Sequence, residues 1–449
     1  MHIVILGAGV VGTQIAYQLI AESKDVVLIE RDKTRAQDVG NRLDCIVINE
    51  EGTNIASLKK AEMDKADIFI SVTNSDEVNM VACGLVASEF PNVRIKIARI
   101  RNLDYSAAKI VEKTFLGIDY VVNPEVETVR HIATTAAFGA ESDVVLFENT
   151  DLQMRNMLID EQSLFLNQPL KDLRLIIKKP FLVAGIIRDS DFIIPSGDTV
   201  INKNDTLYLL SNRYDFPKIF MQSGQQNQDE INSIVIVGGG KIGSLLCKEF
   251  LNADKKITIV EKNYELCKEL SAAYPDVLVL NGDISDEDIY REENLGSYDL
   301  MVTTTDNQEL NIITSIYAKR KGIKRCIALV EKSNYISIAA ELNIDSIISP
   351  KSSTVDAIMK YIRRGDIKSV HSIFNGKAEV IEFSIDDDNI MAGQALMDIK
   401  LPANTIVLSV VRRKRTHLPT GSFVILPGDV VIIISSKESI GKLEKSFLD

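Results

Sequence analysis

Apolar and polar positions fall in blocks whose spacing changes along the chain. Ile3-Val4-Ile5-Leu6 is a short unbroken apolar run. It runs into Gly7-Ala8-Gly9-Val10-Val11-Gly12, after which apolar residues recur at helical spacing as Ile15, Ala16, Leu19 and Ile20. An apolar run bounded by turn residues suits a strand buried on both faces, and the spacing that follows suits a helix packed against it. The predicted order is strand, glycine turn, helix. The same order returns at Ile234-Val235-Ile236-Val237, Gly238-Gly239-Gly240-Lys241-Ile242-Gly243 and the apolar positions Leu245, Leu246 and Phe250, an offset of 231 residues.

The repeat extends well past the glycines. Val26-Val27-Leu28-Ile29-Glu30 corresponds to Ile257-Thr258-Ile259-Val260-Glu261 at the same offset. Ile68-Phe69-Ile70-Ser71-Val72-Thr73 corresponds to Leu300-Met301-Val302-Thr303-Thr304-Thr305, each followed by a polar turn ending in Glu77-Val78-Asn79 or Glu309-Leu310-Asn311. A second, β-rich segment also has an echo: Ile193-Ile194-Pro195-Ser196-Gly197-Asp198 matches His417-Leu418-Pro419-Thr420-Gly421-Ser422. The repeated unit is therefore a pair of domains.

Strands alternating with helices predict right-handed βαβ crossovers and a parallel sheet covered on both faces. The fold class expected is α/β: two Rossmann-like, doubly wound parallel-sheet domains, each followed by a small α+β domain with a mainly antiparallel sheet. The expected boundaries are 1–140 and 231–368 for the Rossmann-like domains and 141–221 and 369–449 for the small ones. Between the copies, 222–230 reads as an exposed linker, since Gln222 to Asp229 is polar throughout.

Composition narrows the function. The 449 residues are 45% hydrophobic and 25% charged, which is globular and soluble in character. The net charge of −12 argues against electrostatic binding of nucleic acid or direct binding of lipid, both of which need Lys and Arg against phosphates. No apolar run is long enough to span a bilayer, and Met1-His2-Ile3-Val4-Ile5 enters a strand directly, so a cytosolic location is expected. Five cysteines without a Cys-x-x-Cys pair suggest buried thiols, and four scattered histidines give no metal site.

In a Gly-x-Gly-x-x-Gly turn the first glycine permits the bend, the second lets backbone approach a pyrophosphate, and the third lets helix pack on strand. Helix N-terminal amides then hold phosphate. Here each turn follows a strand, opens a helix and is followed by an acid 21 residues beyond its second glycine. Glu30 and Glu261 are placed to accept from ribose hydroxyls, and a carboxylate there repels a 2′-phosphate, so NAD(H) or an adenine nucleotide is expected rather than NADP(H). Lys241 either reaches a phosphate or stays in solvent.

In Ala98-Arg99-Ile100-Arg101, strand alternation puts Arg99 and Arg101 on one face, where they meet phosphate oxygens if that face lines the cleft. Aligning Tyr105 with Tyr335 puts Leu329 and Glu331 at these places, so the two sites are expected to be inequivalent, the first suited to more phosphate charge. No acid–base constellation for hydride transfer is recognisable, which favours sensing over turnover. An NAD-dependent oxidoreductase with tandem Rossmann domains is the alternative reading.

Gly7-Ala8-Gly9-Val10-Val11-Gly12, Thr73-Asn74-Ser75-Asp76-Glu77-Val78-Asn79-Met80, Ala98-Arg99-Ile100-Arg101, Ile187-Arg188 and Ile193-Ile194-Pro195-Ser196-Gly197-Asp198 together resemble the TrkA-type regulators of Trk potassium uptake, a family of tandem RCK (KTN) proteins. The resemblance covers essentially the whole chain. It implies a non-enzymatic, cytoplasmic, homotetrameric ring. That ring would sit peripherally on the inner face of the cell membrane beneath a TrkH- or TrkG-like potassium channel subunit, with NAD(H) and ATP/ADP as ligands. Carried over residue by residue, the family's nucleotide contacts fall on Gly7, Ala8, Gly9, Val10, Val11, Gly12, Glu30, Arg35, Thr73, Asn74, Arg99 and Arg101. In the second copy they fall on Gly238, Gly240, Lys241, Ile242, Gly243, Glu261 and Thr305. Asn49-Glu50-Glu51 departs from the Asn281-Gly282-Asp283 of the other copy, as Leu329 and Glu331 depart from the arginine pair.

Overall fold

The computed structural model describes residues 1–22, 24–107, 116–137, 145–147, 150–189, 191–224, 231–342, 344–362, 367–373, 378–413, 415–436, 438–440 and 442–443. Most of the linker expected at 222–230 lies outside the described residues. Two compact units emerge: Met1–Ala140 with Ile231–Ile362, and Glu141–Glu230 with Arg363–Asp449.

The first unit holds two parallel six-stranded sheets, one in each of two lobes. In the first lobe the strands lie in the order Ile46–Ile48, Asp25–Ile29, His2–Leu6, Ile68–Ser71, Ile95–Arg99 and Tyr120–Val122, which in chain order reads 3-2-1-4-5-6. The second lobe repeats it with Leu278–Asn281, Lys256–Glu261, Ser233–Val237, Leu300–Thr303, Arg325–Leu329 and Ser346–Ile348. All pairings are parallel. The unbroken apolar runs are explained by two-sided burial. Ile3 and Ile5 enter one core while Val4 and Leu6 enter the core on the other face, and Ile234 and Ile236 separate from Val235 and Val237 in the same way. Strand order reverses at His2–Leu6 and at Ser233–Val237, and the crevice at the carboxyl end of such a switch point is where doubly wound sheets bind ligands.

The lobes exchange their last helices. Pro124–Ala137 follows the first sheet, yet its buried Val129, Ile132 and Ala136 pack among Ile234, Ile236, Leu246 and Phe250 of the second lobe. Pro350–Ile362 follows the second sheet and buries Val355, Ile358, Met359 and Ile362 among Ile3, Ile5, Ile15 and Leu19 of the first. Each helix opens with proline, whose missing N–H costs nothing in a first turn. Both present an apolar stripe at helical spacing. Tyr120, on the last strand of the first sheet, stacks on Tyr361 with ring centroids 4.2 Å apart and planes 12° from parallel. The exchange is reciprocal, so the lobes are related by a pseudo-twofold axis.

The second unit holds two antiparallel five-stranded sheets. Asp191–Ile193, Phe181–Arg188, Thr206–Asn212, Leu152–Leu158 and Val145–Leu146 form one, and Ile367–Ile373, Ala378–Ser384, Val430–Ser436, Thr405–Arg412 and Arg415–His417 form the other. One apolar cluster, including Met154, Tyr208, Leu210, Val380 and Ile432, draws on both sheets. Each sheet carries a matching buried ion pair. Arg188 donates to both carboxylate oxygens of Asp205, at 2.9 and 2.7 Å, and to the carbonyl of Val200; Arg412 does the same to Asp429 and Val424. Both aspartates are buried, and a bidentate guanidinium is the partner that such a carboxylate requires.

Asp299 ties the start of the second sheet together. It accepts from the amides of Asn232 and Ser233 and the hydroxyl of Ser233, each at 2.9 Å, and pairs with Lys324 at 3.0 Å. Burial alone would raise its carboxyl, but these hydrogen bonds outweigh that and hold it at about 2. The stabilisation is present above the usual carboxylate range and is lost as pH falls from about 4 towards 2. Asp299→Asn is expected to cost the Rossmann unit about 2 kcal/mol at neutral pH and to flatten its acid denaturation profile, measured by denaturant melts at a series of pH values. The exchanged helices give a second expectation. Ile132→Ala should cost roughly 2–5 kcal/mol. In hydrogen exchange it should deprotect Ser233–Val237 and Leu300–Thr303 more than His2–Leu6, and Ile358→Ala should show the reverse; loss confined to the mutated repeat's own sheet would contradict the exchange.

Candidate functional site

The glycine turns are built as their chemistry demands. Gly7 and Gly238 have φ of +103° and +97°, a region that only glycine enters freely. A Cβ on Gly12 would lie 1.9 Å from the carbonyl oxygen of Gly7, and one on Gly243 would lie 2.0 Å from that of Gly238. Gly9 and Gly240 differ, since a Cβ there would meet nothing within 4 Å and would point into open space. The helices that follow, Val10–Ala21 and Lys241–Asn252, begin at Gly9 and Gly240 without a side-chain cap. Nearby helices are capped by Asp32, Ser75, Asn263 and Asn307. The first-turn amides of the two glycine helices therefore face outward with the positive end of the helix dipole.

Glu30 is buried, with one carboxylate oxygen accepting from the amide of Ala8 and the other from that of Asp32, both at 2.9 Å. Arg35 stands 3.7 Å from it. Glu261 repeats the arrangement at 2.7 Å with Gly239 and Asn263. Asn49 and Asn281 each donate to the carbonyl of their acid and to that of the next residue, so the differing residues after these asparagines leave this contact intact. Each acid is thus tied to its own glycine turn.

At the neighbouring strand end Thr73 and Thr305 are held by a buried asparagine. Asn79 accepts from the amide and hydroxyl of Thr73, at 2.9 and 2.7 Å, and donates to the carbonyls of Thr73 and Arg99. Asn311 does the same for Thr305 and Leu329. These clasps join the ends of the fourth and fifth strands of each sheet, and they show that Leu329 occupies the place of Arg99. Asn74 is exposed in the turn beyond Thr73.

One cleft of about 590 Å³ straddles the pseudo-twofold axis. From the first lobe Val11, Arg99, Arg101 and Glu125 line it; from the second, Gly240, Lys241, Ile242, Thr305, Glu331 and Lys351 do so. The strand ends at Arg99, so Arg101 reaches the cleft from the following turn and not by strand alternation. Both its Nε and Nη2 donate to a single oxygen of Glu125, at 2.9 and 2.7 Å, leaving the other oxygen buried without a hydrogen bond. Arg99 is half-buried; its Nε has no acceptor, and burial, then the Arg101 charge, lower its pKa. The second copy carries cations of its own, because Lys241 and Lys351 stand on the same cleft, with Lys351 paired to Glu331 at 3.0 Å. The second copy lacks the arginine pair and supplies Lys241 and Lys351 to the cleft instead.

The TrkA-N domain family matches residues 3–124 and 234–350, and the TrkA-C domain family matches residues 154–221 and 380–448. The chain belongs to the TrkA family. It is 32% identical to the Trk system potassium uptake protein TrkA of Halomonas elongata, over 100% of this chain and 98% of that relative. It is 30% identical to a TrkA homolog of Methanosarcina mazei over the full length of both. Among solved structures, the GsuK channel bound to NAD shares the fold, with a TM-score of 0.60 at 15% identity over 99% of this chain and 78% of that one. Among the described residues of this TrkA-family chain, no helix is long and apolar enough to cross a membrane.

Sequence reasoning picked out the glycine turns and acids of the TrkA fold but assigned no role to the asparagine clasps, although Asn79 and Asn311 fall at equivalent places in the repeat. The glycines separate two kinds of demand. Gly12→Ala forces a backbone clash and is expected to destabilise the Rossmann unit by roughly 1–3 kcal/mol. Gly9→Ala should leave its melting temperature unchanged; equal losses in differential scanning calorimetry would overturn the distinction.

Proposed function

We propose that this chain is the cytosolic nucleotide-sensing subunit of a Trk-type potassium uptake channel. One observation carries the reading: two uncapped helix N-termini at glycine turns reach one cleft that also gathers cations from both lobes. NAD(H) and ATP/ADP are the ligands. The open space before Gly9 and Gly240 fits the close approach of a pyrophosphate, and the amides of Val10, Val11 and Gly12, and of Lys241, Ile242 and Gly243, suit phosphate oxygens. Glu30 and Glu261 would accept from ribose hydroxyls, and Arg35 flanks the first. The unsatisfied Nε of Arg99 is a buried donor in need of an acceptor, which a phosphate supplies.

Thr73, Asn74 and Thr305 line the approach to each turn. A ligand rich in phosphate competes with Glu125 for Arg101, whereas a less charged dinucleotide leaves that pair intact. Ligands of different charge then favour different separations of the lobes. A homotetrameric ring beneath a TrkH- or TrkG-like membrane subunit passes that difference to the pore and holds the protein at the inner face of the membrane. A coupling of about 1–3 kcal/mol is enough. Arg101 with Glu125 and Lys351 with Glu331 form ion pairs within the cleft, which suits a sensor more than an oxidoreductase.

Potassium flux through the reconstituted channel complex should change with ATP, ADP, NAD⁺ or NADH, and indifference to all four would remove the regulatory reading. In calorimetric titration of the full chain, Arg101→Gln should weaken ATP binding roughly tenfold to hundredfold, the worth of a hydrogen bond to a charged group. NADH binding should fall much less.

A further inference from the structure

The cleft carries an arrangement of charge that ligand binding does not require. Arg101 and Glu331 are equivalent positions in the two repeats, as are Glu125 and Lys351, the second residues of the exchanged helices. Both positions reverse sign between repeats. Each lobe keeps an internal pair, Arg101 with Glu125 at 2.7 Å and Lys351 with Glu331 at 3.0 Å, but the order of charges is inverted. All four residues line the one cleft. Arg101 and Glu331 are therefore mates across the axis, as are Glu125 and Lys351.

We propose that this paired reversal is a recognition code that makes the first lobe pair with the second and disfavours pairing of like lobes between chains. Much of the apolar interface is alike in the two repeats, Val129 matching Val355 and Ile132 matching Ile358, with Thr128 and Thr354 making the same bond to the carbonyl of their proline, whereas the charged positions differ in sign. A first lobe facing another first lobe would set Arg101 against Arg101 and Glu125 against Glu125, and two second lobes would do the same with Glu331 and Lys351. These charges would sum to zero in every case, but the mates across the axis would repel. Discrimination by an added repulsion in the wrong partner is how closely related interfaces stay specific.

The test leaves the pair inside each lobe intact and changes only what it faces. Arg101→Glu with Glu125→Lys inverts the first lobe, and Glu331→Arg with Lys351→Glu inverts the second. In the full chain without added nucleotide, either inversion alone should lower the melting temperature of the Rossmann unit by about 2–4 °C. All four substitutions together should restore it. The deficit should shrink as salt is raised from 0.01 to 1 M, where the screening length falls from about 30 to about 3 Å. A single-lobe variant that fails to fold, while the fourfold variant folds, supports the code equally. A fourfold variant no better than the sum of its two halves would overturn it, as would single inversions without effect at low salt.

Discussion

Val129, Ile132 and Ala136 of one repeat lie against the sheet of the other, and Val355, Ile358 and Met359 return the contact. Burying a stripe of this kind contributes several kcal/mol, on the order of 25 cal/mol per Å² of apolar surface. On that face each sheet's own first helix, Val10–Ala21 or Lys241–Asn252, shares the core with the helix supplied by the other repeat. The crossing of the two helices therefore fixes the axis, the axis brings both switch points to one cleft, and the cleft assembles charges that no single lobe contains.

Much of this fold could be read from the chain. Two-sided burial makes central parallel strands uniformly apolar, so Ile3 to Leu6 and Ile234 to Val237 announced themselves, and the glycines between strand and helix left little choice of local geometry. The helix exchange could not be read. Periodicity says that Ile132 faces apolar surroundings, but it carries no information about which of two similar sheets supplies them. The same degeneracy hid the cleft. The sequence leaves Lys241 between a phosphate and solvent and gives Lys351 no role, because their neighbours are distant in sequence, and Arg101 meets its cleft from a turn where alternation places it on a strand.

The acids and asparagines show a different limit. Glu30 and Glu261 were legible because the fold places a terminal acid there for a reason independent of context. Asn79 and Asn311 satisfy backbone groups on two strands at once, a role visible only when the strand ends are seen side by side. Both are buried, and their hydrogen bonds hold the turns at the strand ends beside the cleft.

The exchanged helices also bear on how such a chain can change over time. A substitution in the stripe of either helix is tested by the fit of the other repeat, so neither copy is free to decay into a silent duplicate. Positions on the axis are subject to the opposite pressure. Once two copies share one chain they need no longer match themselves, and differences such as Arg101 against Glu331 can accumulate there without breaking the fold. Fusion thereby converts a symmetric pair into two specialised halves, each the scaffold on which the other is maintained.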